Sequence, residues 1–184
     1  MPKKLLIITD DAGESFEILY AQHRFREEGW IPVIASSKKK TLNSVIHDFC
    51  PGWTTYVEKP GYLIRSDVAI SRVRSRDFAA ILLIGGRAPE HLRHDRKLLQ
   101  LVKEFHAAGK WIFSICHGIQ IVLAAGLANG RRLTCYRNIR CEVEQCGGQW
   151  VDRECVRDDR LITSQTWESH PDFYREIFRA LRSS

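Results

Sequence analysis

Three short runs carry the residue types that chemistry needs: Thr9-Asp10-Asp11-Ala12-Gly13-Glu14, Gly85-Gly86-Arg87-Ala88-Pro89-Glu90 and Ser114-Ile115-Cys116-His117-Gly118. The third lies between the apolar segment Trp111-Ile112-Phe113 and a helical pattern over 119–125. A cysteine on a strand-to-helix turn is placed to act as a nucleophile, because the helix N-terminus favours the thiolate. Attack on a carbonyl also needs a proton carrier and N–H donors for the developing oxyanion. His117 or a carboxylate can carry the proton. The N–H of His117 and one from Gly85-Gly86 can form the oxyanion site, since glycine allows close approach. Each residue also has a plainer reading. Cys116 alone fits a small apolar core residue. Glu14 and Glu90 alone fit carboxylates favoured at helix N-termini, worth ~0.3–1 kcal/mol each.

What tips the balance is the scaffold that these runs imply. Short apolar runs over 5–8, 31–35, 80–84 and 111–115 alternate with amphipathic helical segments. That is the pattern of a mostly parallel α/β sheet covered on both faces. Helices are expected over 16–28, ended by Gly29, and through Leu98, Leu101, Val102 and Phe105 up to Gly109. A third follows Cys116 and ends at Gly126. Beyond it, strands are expected over 132–136, 150–156 and 161–164, and helices over 138–146 and 171–181. In open α/β sheets ligands bind beyond the carboxyl ends of the strands. All three reactive runs fall at such ends, which favours a reactive Cys116. Residues 45–74 break the alternation and carry Trp53, Tyr56 and Tyr62. A connection of this length is expected to pack over a site or a partner.

Composition narrows the classes further. The 184 residues suit one domain over 1–184, and 44% hydrophobic with 27% charged residues describes an ordinary globular protein. No apolar stretch approaches the ~20 residues needed to cross a bilayer, and the N-terminus lacks the features of a signal peptide. A cytoplasmic location is therefore expected, with the six cysteines reduced. No cysteine pair has C-x-x-C spacing, and His91 and His94 lack a third ligand, so neither a metal nor a cofactor is expected. The net charge of +6 comes from scattered basic residues without interleaved aromatics. That pattern gives no specific nucleic-acid site.

The motifs Gly85-Gly86-Arg87-Ala88-Pro89-Glu90, Ser114-Ile115-Cys116-His117-Gly118 and Glu14-x-x-Glu17-x-x-Tyr20 together resemble the ThiJ/PfpI family of the class I glutamine amidotransferase-like superfamily. Glu58-Lys59-Pro60-Gly61, Thr134-x-Tyr136 and His170-Pro171-Asp172 resemble the subgroup that contains plant tandem-domain glyoxalase III proteins. The resemblance covers nearly the whole chain and implies a flavodoxin-like three-layer sandwich with a nucleophile elbow. It implies Cys116 as nucleophile, Glu14 as the acidic residue beside the sulfur, and His117 as its neighbour. Glu90 would reach that histidine from an adjacent subunit of a homo-oligomer, dimer or larger. Gly85, Gly86, Arg87, Tyr136 and His170 would form the oxyanion and substrate-binding surface. Where relatives often read Tyr-Pro, this chain has Tyr136-Arg137.

Three functions follow from that resemblance. The first is cofactor-independent conversion of reactive dicarbonyls or glycated adducts through a Cys116 hemithioacetal. The second is peptide or amide cleavage by Cys116, His117 and Glu90. The third is non-enzymatic redox sensing by a reactive thiol. The substrate is correspondingly a small aldehyde or a peptide.

Overall fold

The computed structural model describes residues 2–183. In chain order the strands and helices are β1 (Lys4–Ile8), α1 (Ser15–Glu27), β2 (Ile31–Ser36), β3 (Thr41–Asp48), β4 (Val57–Arg65), β5 (Val68–Ala69) and β6 (Ala80–Leu83). There follow α2 (Ala88–Leu92), α3 (Arg96–Ala107), β7 (Trp111–Ile115), α4 (Ile119–Ala124) and β8 (Arg132–Leu133). The chain closes with α5 (Arg140–Gln145), β9 (Gln149–Trp150), β10 (Cys155–Asp158), β11 (Leu161–Ser164) and α6 (His170–Arg182).

Seven strands form one sheet in the order β10-β11-β7-β6-β1-β2-β5, parallel except for β10 against β11. Successive side chains of a strand face opposite ways, so each central strand feeds two cores. Leu5, Ile7, Leu82 and Phe113 pack under Ile18 and Phe25 of α1 and Phe173 and Ile177 of α6. Leu6, Ile8, Ile81 and Leu83 pack against Leu98, Leu101, Val102 and Phe105 of α3 and against α4. This burial on both faces is why the strands read as unbroken apolar runs.

The register sets the site. Ile8 is level with Leu83, and Leu83 with Ser114. The chain therefore leaves β1, β6 and β7 side by side, and the three reactive runs emerge together at one edge.

Three expected elements are corrected. The strand expected over 132–136 shrinks to Arg132–Leu133, which pairs with β9 in a separate two-stranded ribbon. The Thr134 N–H turns instead to the Thr163 hydroxyl at 2.9 Å, which stops the ladder. The strand expected over 150–156 is broken into Gln149–Trp150 and Cys155–Asp158, because the Val151 N–H donates to Leu133 in the small ribbon and only from Cys155 does the chain pair with β11. Residues 45–74 are not irregular connection. Together with 41–44 they build an antiparallel hairpin of β3 and β4, with a bulge between Asn43 and Val45, and then the edge strand β5. Gly61 lets this hairpin close on α1, since a Cβ there would lie 2.0 Å from the Ser15 hydroxyl. Trp53 and Tyr62 are 63% and 65% exposed, and Tyr62 lines a cleft beside Glu14 and Phe16. Phe49 and Tyr56 do pack inward, against Tyr136.

Candidate active site

Cys116 sits where β7 turns into a single 3-10 turn, Cys116–Gly118, ahead of α4. Its φ of +56° lies in the left-handed region, which costs a non-glycine residue on the order of 1–3 kcal/mol. The turn is that sharp because β7 must reverse into the helix directly above Leu83. Gly118 permits it, since a Cβ there would come 2.2 Å from the Leu83 carbonyl oxygen. The sulfur is buried, with Cys116 3% exposed.

His117 Nδ1 lies 3.3 Å from Cys116 Sγ. Burial, helped by the nearby His47, lowers this imidazole to about 4, so it is neutral at pH 7. The backbone N–H groups of His117 and Gly86 lie near enough to the sulfur to favour its thiolate. Gly86 is held at φ +74°, against the Ala12 carbonyl, in a cradle that a Cβ would fill. The N–H groups of His117 and Gly86 are thus brought beside the sulfur, whereas that of Gly85 is not. The Gly85 N–H is not free, because it donates to Glu17 Oε2 at 2.7 Å.

Glu17 is the main revision to the expected site. The carboxyl group packed beside Cys116 belongs to Glu17, in the first turn of α1 and 1% exposed, with its Oε1 buried and without a hydrogen-bond partner. Glu14, expected beside the sulfur, lies one turn earlier as the N-cap of α1, its Oε2 accepting the Glu17 N–H at 2.7 Å. Its second oxygen, Oε1, is buried without a hydrogen-bond partner. Burial raises Glu14 to about 7. Burial, followed by the Glu14 charge, pushes Glu17 well above the carboxylate range. Its neutral form carries a proton in reach of the neighbouring thiol's charge.

The expectation that the helix end lowers the thiol is also revised. Burial, with the charge of Glu17 next, pushes Cys116 up, and the two backbone N–H groups pull it back only in part. A thiolate is favoured here only when Glu17 is protonated, because the repulsion then becomes a donated hydrogen bond.

Tyr136 flanks His117 with ring centroids 5.2 Å apart, and its hydroxyl meets Thr55 Oγ1 at 3.1 Å and Asn138 Nδ2 at 2.8 Å. Arg87 does not offer a free charge to a substrate. Its guanidinium grips Glu58 of β4 through two hydrogen bonds of 2.7 and 2.8 Å. Glu90 is exposed on α2, and no hydrogen bond joins it to His117 within the described residues. No hydrogen bond among the described residues joins His170 to Cys116, His117 or Glu17. His170 is stacked on Tyr20 at 4.7 Å, beside Phe16 and Tyr174, with both ring nitrogens unpartnered, and burial lowers it to about 4.

Clefts flank this centre. One of about 290 Å³ is lined by Glu14, Phe16, Ile46 and Trp167. Another of about 400 Å³ opens beside Tyr136, Phe49 and Arg137. A larger one of about 800 Å³, between β10 and α6, contains none of the reactive residues. Among the described residues no cluster of His, Cys, Asp and Glu is arranged to hold a metal, and no helix is long and apolar enough to cross a membrane.

A model of the DJ-1/PfpI family matches residues 3–180. The chain is 34% identical over 179 residues to "Deglycase PYRAB04690" of Pyrococcus abyssi, covering 97% of this chain and 99% of that protein. It is 33% identical over 182 residues to "Protein/nucleic acid deglycase 2" of Escherichia coli, covering 98% and 99%. Among solved structures, a two-domain protein of Anabaena variabilis with DJ-1/ThiJ/PfpI-like and ferritin-like domains superposes with a TM-score of 0.84 at 22% identity. That match covers 97% of this chain and 48% of the other, so the chain spans about half of that protein, and the likeness concerns the fold.

Proposed function

The chain belongs to the DJ-1/PfpI family, and from that premise we propose that it is a cofactor-independent enzyme converting reactive dicarbonyls or early glycated adducts through Cys116. The observation that carries this reading is the buried Cys116–Glu17 pair under the N–H groups of Gly86 and His117. It combines a nucleophile, a held proton and an oxyanion site in one water-poor place. The deglycase names of the relatives agree with it.

For a 1,2-dicarbonyl aldehyde the chemistry balances without an external oxidant. The Cys116 thiolate bonds to the aldehyde carbon, and the carbonyl pair moves onto oxygen beneath the two N–H groups. Glu17 delivers its proton to that oxygen, giving a hemithioacetal, and becomes a carboxylate. The carboxylate removes the hydrogen on that carbon, and the electron pair moves onto the second carbonyl oxygen as an enediolate. The hydroxyl proton passes between the two oxygens, and Glu17 returns its proton to the second carbon. The product is a 2-hydroxyacyl thioester, which water cleaves to a hydroxy acid and the free thiol. General acid–base work of this kind contributes roughly 10²–10⁴-fold.

With an early glycated amine, a hemiaminal, the sulfur bonds to the carbon that carries the amine, the C–N bond breaks, the amine leaves with the Glu17 proton, and the same Cys116 hemithioacetal remains. Peptide or amide cleavage is the weaker reading. It needs a histidine that accepts a proton readily, and His117 is lowered to about 4. It also needs Glu90 to approach from a second copy of the chain in an oligomer. Six unpaired cysteines suit a reducing, cytoplasmic setting.

The test is hydroxy acid formation from methylglyoxal by the wild-type protein and by Cys116→Ser. Conversion lost in the variant is expected. Conversion that persists in Cys116→Ser would refute the reading.

A further inference from the structure

Tyr56 enters the site from the hairpin, one residue before β4. One face of its ring stacks on His47, centroids 3.8 Å apart and planes 14° from parallel. Its ring lies 5.8 Å from His117, edge-on, and 5.6 Å from Tyr136. The ring is fixed from behind. His47 Nε2 meets Glu58 Oε2 at 3.0 Å, and Glu58 is gripped by Arg87, the residue after Gly86. The loop that offers the Gly86 N–H to the sulfur thus also anchors the support of Tyr56. The hairpin tip is latched as well, by Asn138 Nδ2 donating to the Thr54 carbonyl at 2.9 Å and by Thr55 on the Tyr136 hydroxyl.

The two tyrosines beside His117 differ in one respect. The Tyr136 hydroxyl is engaged by two side chains. The Tyr56 hydroxyl has no hydrogen-bond partner among the described residues.

We propose that Tyr56 is a substrate-contacting residue whose hydroxyl donates to the second carbonyl oxygen of a 1,2-dicarbonyl held on Cys116, and that this contact selects dicarbonyls over simple aldehydes. The proposal rests on the dicarbonyl reading above. The first carbonyl oxygen takes the N–H groups of Gly86 and His117, which leaves the adjacent one in need of a donor. Tyr56 meets that need from a rigid mount. Burial, with the charge at Cys116 adding to it, raises the phenol to about 12, so it remains a donor at neutral pH. In the enediolate this second oxygen carries the negative charge, so the contact strengthens as the reaction proceeds.

The test uses Tyr56→Phe, which keeps the ring on His47 and removes only the hydroxyl. Two measurements are made on wild type and variant: protection of Cys116 from iodoacetamide by methylglyoxal and by propionaldehyde, and turnover of methylglyoxal. One neutral hydrogen bond predicts roughly three- to tenfold weaker protection by methylglyoxal. Protection by propionaldehyde should be unchanged, and kcat should fall on the order of 10–100-fold. A variant equal to wild type, or one that loses protection by both aldehydes alike, overturns the assignment while leaving the dicarbonyl reading in place. A wild-type Cys116 that iodoacetamide modifies but methylglyoxal never protects removes both.

Discussion

Replacing Glu17 by glutamine isolates the proton from the rest of the site. The amide oxygen can still accept the Gly85 N–H that now reaches Oε2 at 2.7 Å, so the Gly85-Gly86 loop and the Gly86 donor stay in place. What is lost is the group that gives and takes a proton, a change of roughly 10²–10⁴-fold in kcat, or about 2.7–5.5 kcal/mol of barrier. The nucleophile should survive, because the neighbouring charge that raises the thiol disappears with the carboxylate. Alkylation of Cys116 by iodoacetamide at pH 7 should therefore hold or quicken while hydroxy acid formation collapses. Glu14→Gln is the matched control. Its amide oxygen still caps α1 by accepting the Glu17 N–H, and its turnover should remain within about threefold of wild type, since it transfers no proton in the scheme. The assay is hydroxy acid formation from methylglyoxal beside iodoacetamide labelling, on all three proteins. A hundredfold loss in Glu14→Gln with near-normal turnover in Glu17→Gln would refute the assignment and return the proton to Glu14.

Glu14 and His170 should also mark the pH dependence of stability, with opposite signs. Glu14 rises from 4.5 to about 7 on folding, so the stabilisation it gives when protonated is lost as pH climbs through that window, by roughly 3 kcal/mol if it acted alone. Urea unfolding of Glu14→Gln should gain on wild type between pH 5 and pH 8, and a constant difference would contradict this. His170 falls from 6.5 to about 4, so its contribution is lost as pH drops below 6.5, by roughly 2 kcal/mol at pH 5. His170→Phe should raise the melting midpoint more at pH 5 than at pH 7.5 without touching turnover, and an activity loss would place His170 back in the site.

The sheet was legible because burial on both faces leaves no polar alternation in β1, β2, β6 and β7, and because glycines mark the helix ends. Gly29, Gly109 and Gly126 adopt φ of +76°, +62° and +75° just past their helices. The hairpin was not legible for the converse reason. β4 is exposed along most of its length and carries Pro60 and Gly61 in its middle, so it shows neither a strand period nor strand composition. In the site, Cys116, His117 and Gly86 could be read from the elbow and the glycine pair, since backbone geometry demands those residue types. Glu17 looked like any first-turn carboxylate. Its signal was positional: it lies four residues before Ala21 and eight before Phe25, on the stripe that α1 buries, where burial ordinarily selects an apolar residue. His170 was placed on the substrate-binding surface by resemblance alone, and only tertiary packing reveals the aromatic rings around it.

The arrangement of charge explains why Glu17 and Cys116 must work as one unit. Cys116, Glu17 and Glu14 are all pushed toward their neutral forms by burial. Two basic side chains on the loops beyond the strand ends are committed elsewhere, Arg87 to Glu58 and Lys40 to Asp10 and Asp11. Two like charges about 4 Å apart repel by about 4 kcal/mol even at an effective dielectric of 20, so thiolate and Glu17 carboxylate are not both present. One negative charge then travels through the proposed reaction. It starts on sulfur beneath the N–H groups of Gly86 and His117, passes to the substrate oxygen, and is moved to Glu17 by proton transfer. There the Gly85 N–H receives it. A free lysine or arginine beside the sulfur would hold that charge in place and slow its transfer. Backbone N–H groups meet the charge at both ends of this path, those of Gly86 and His117 at the sulfur and that of Gly85 at Glu17, so a single carboxyl group can serve first as acid and then as base.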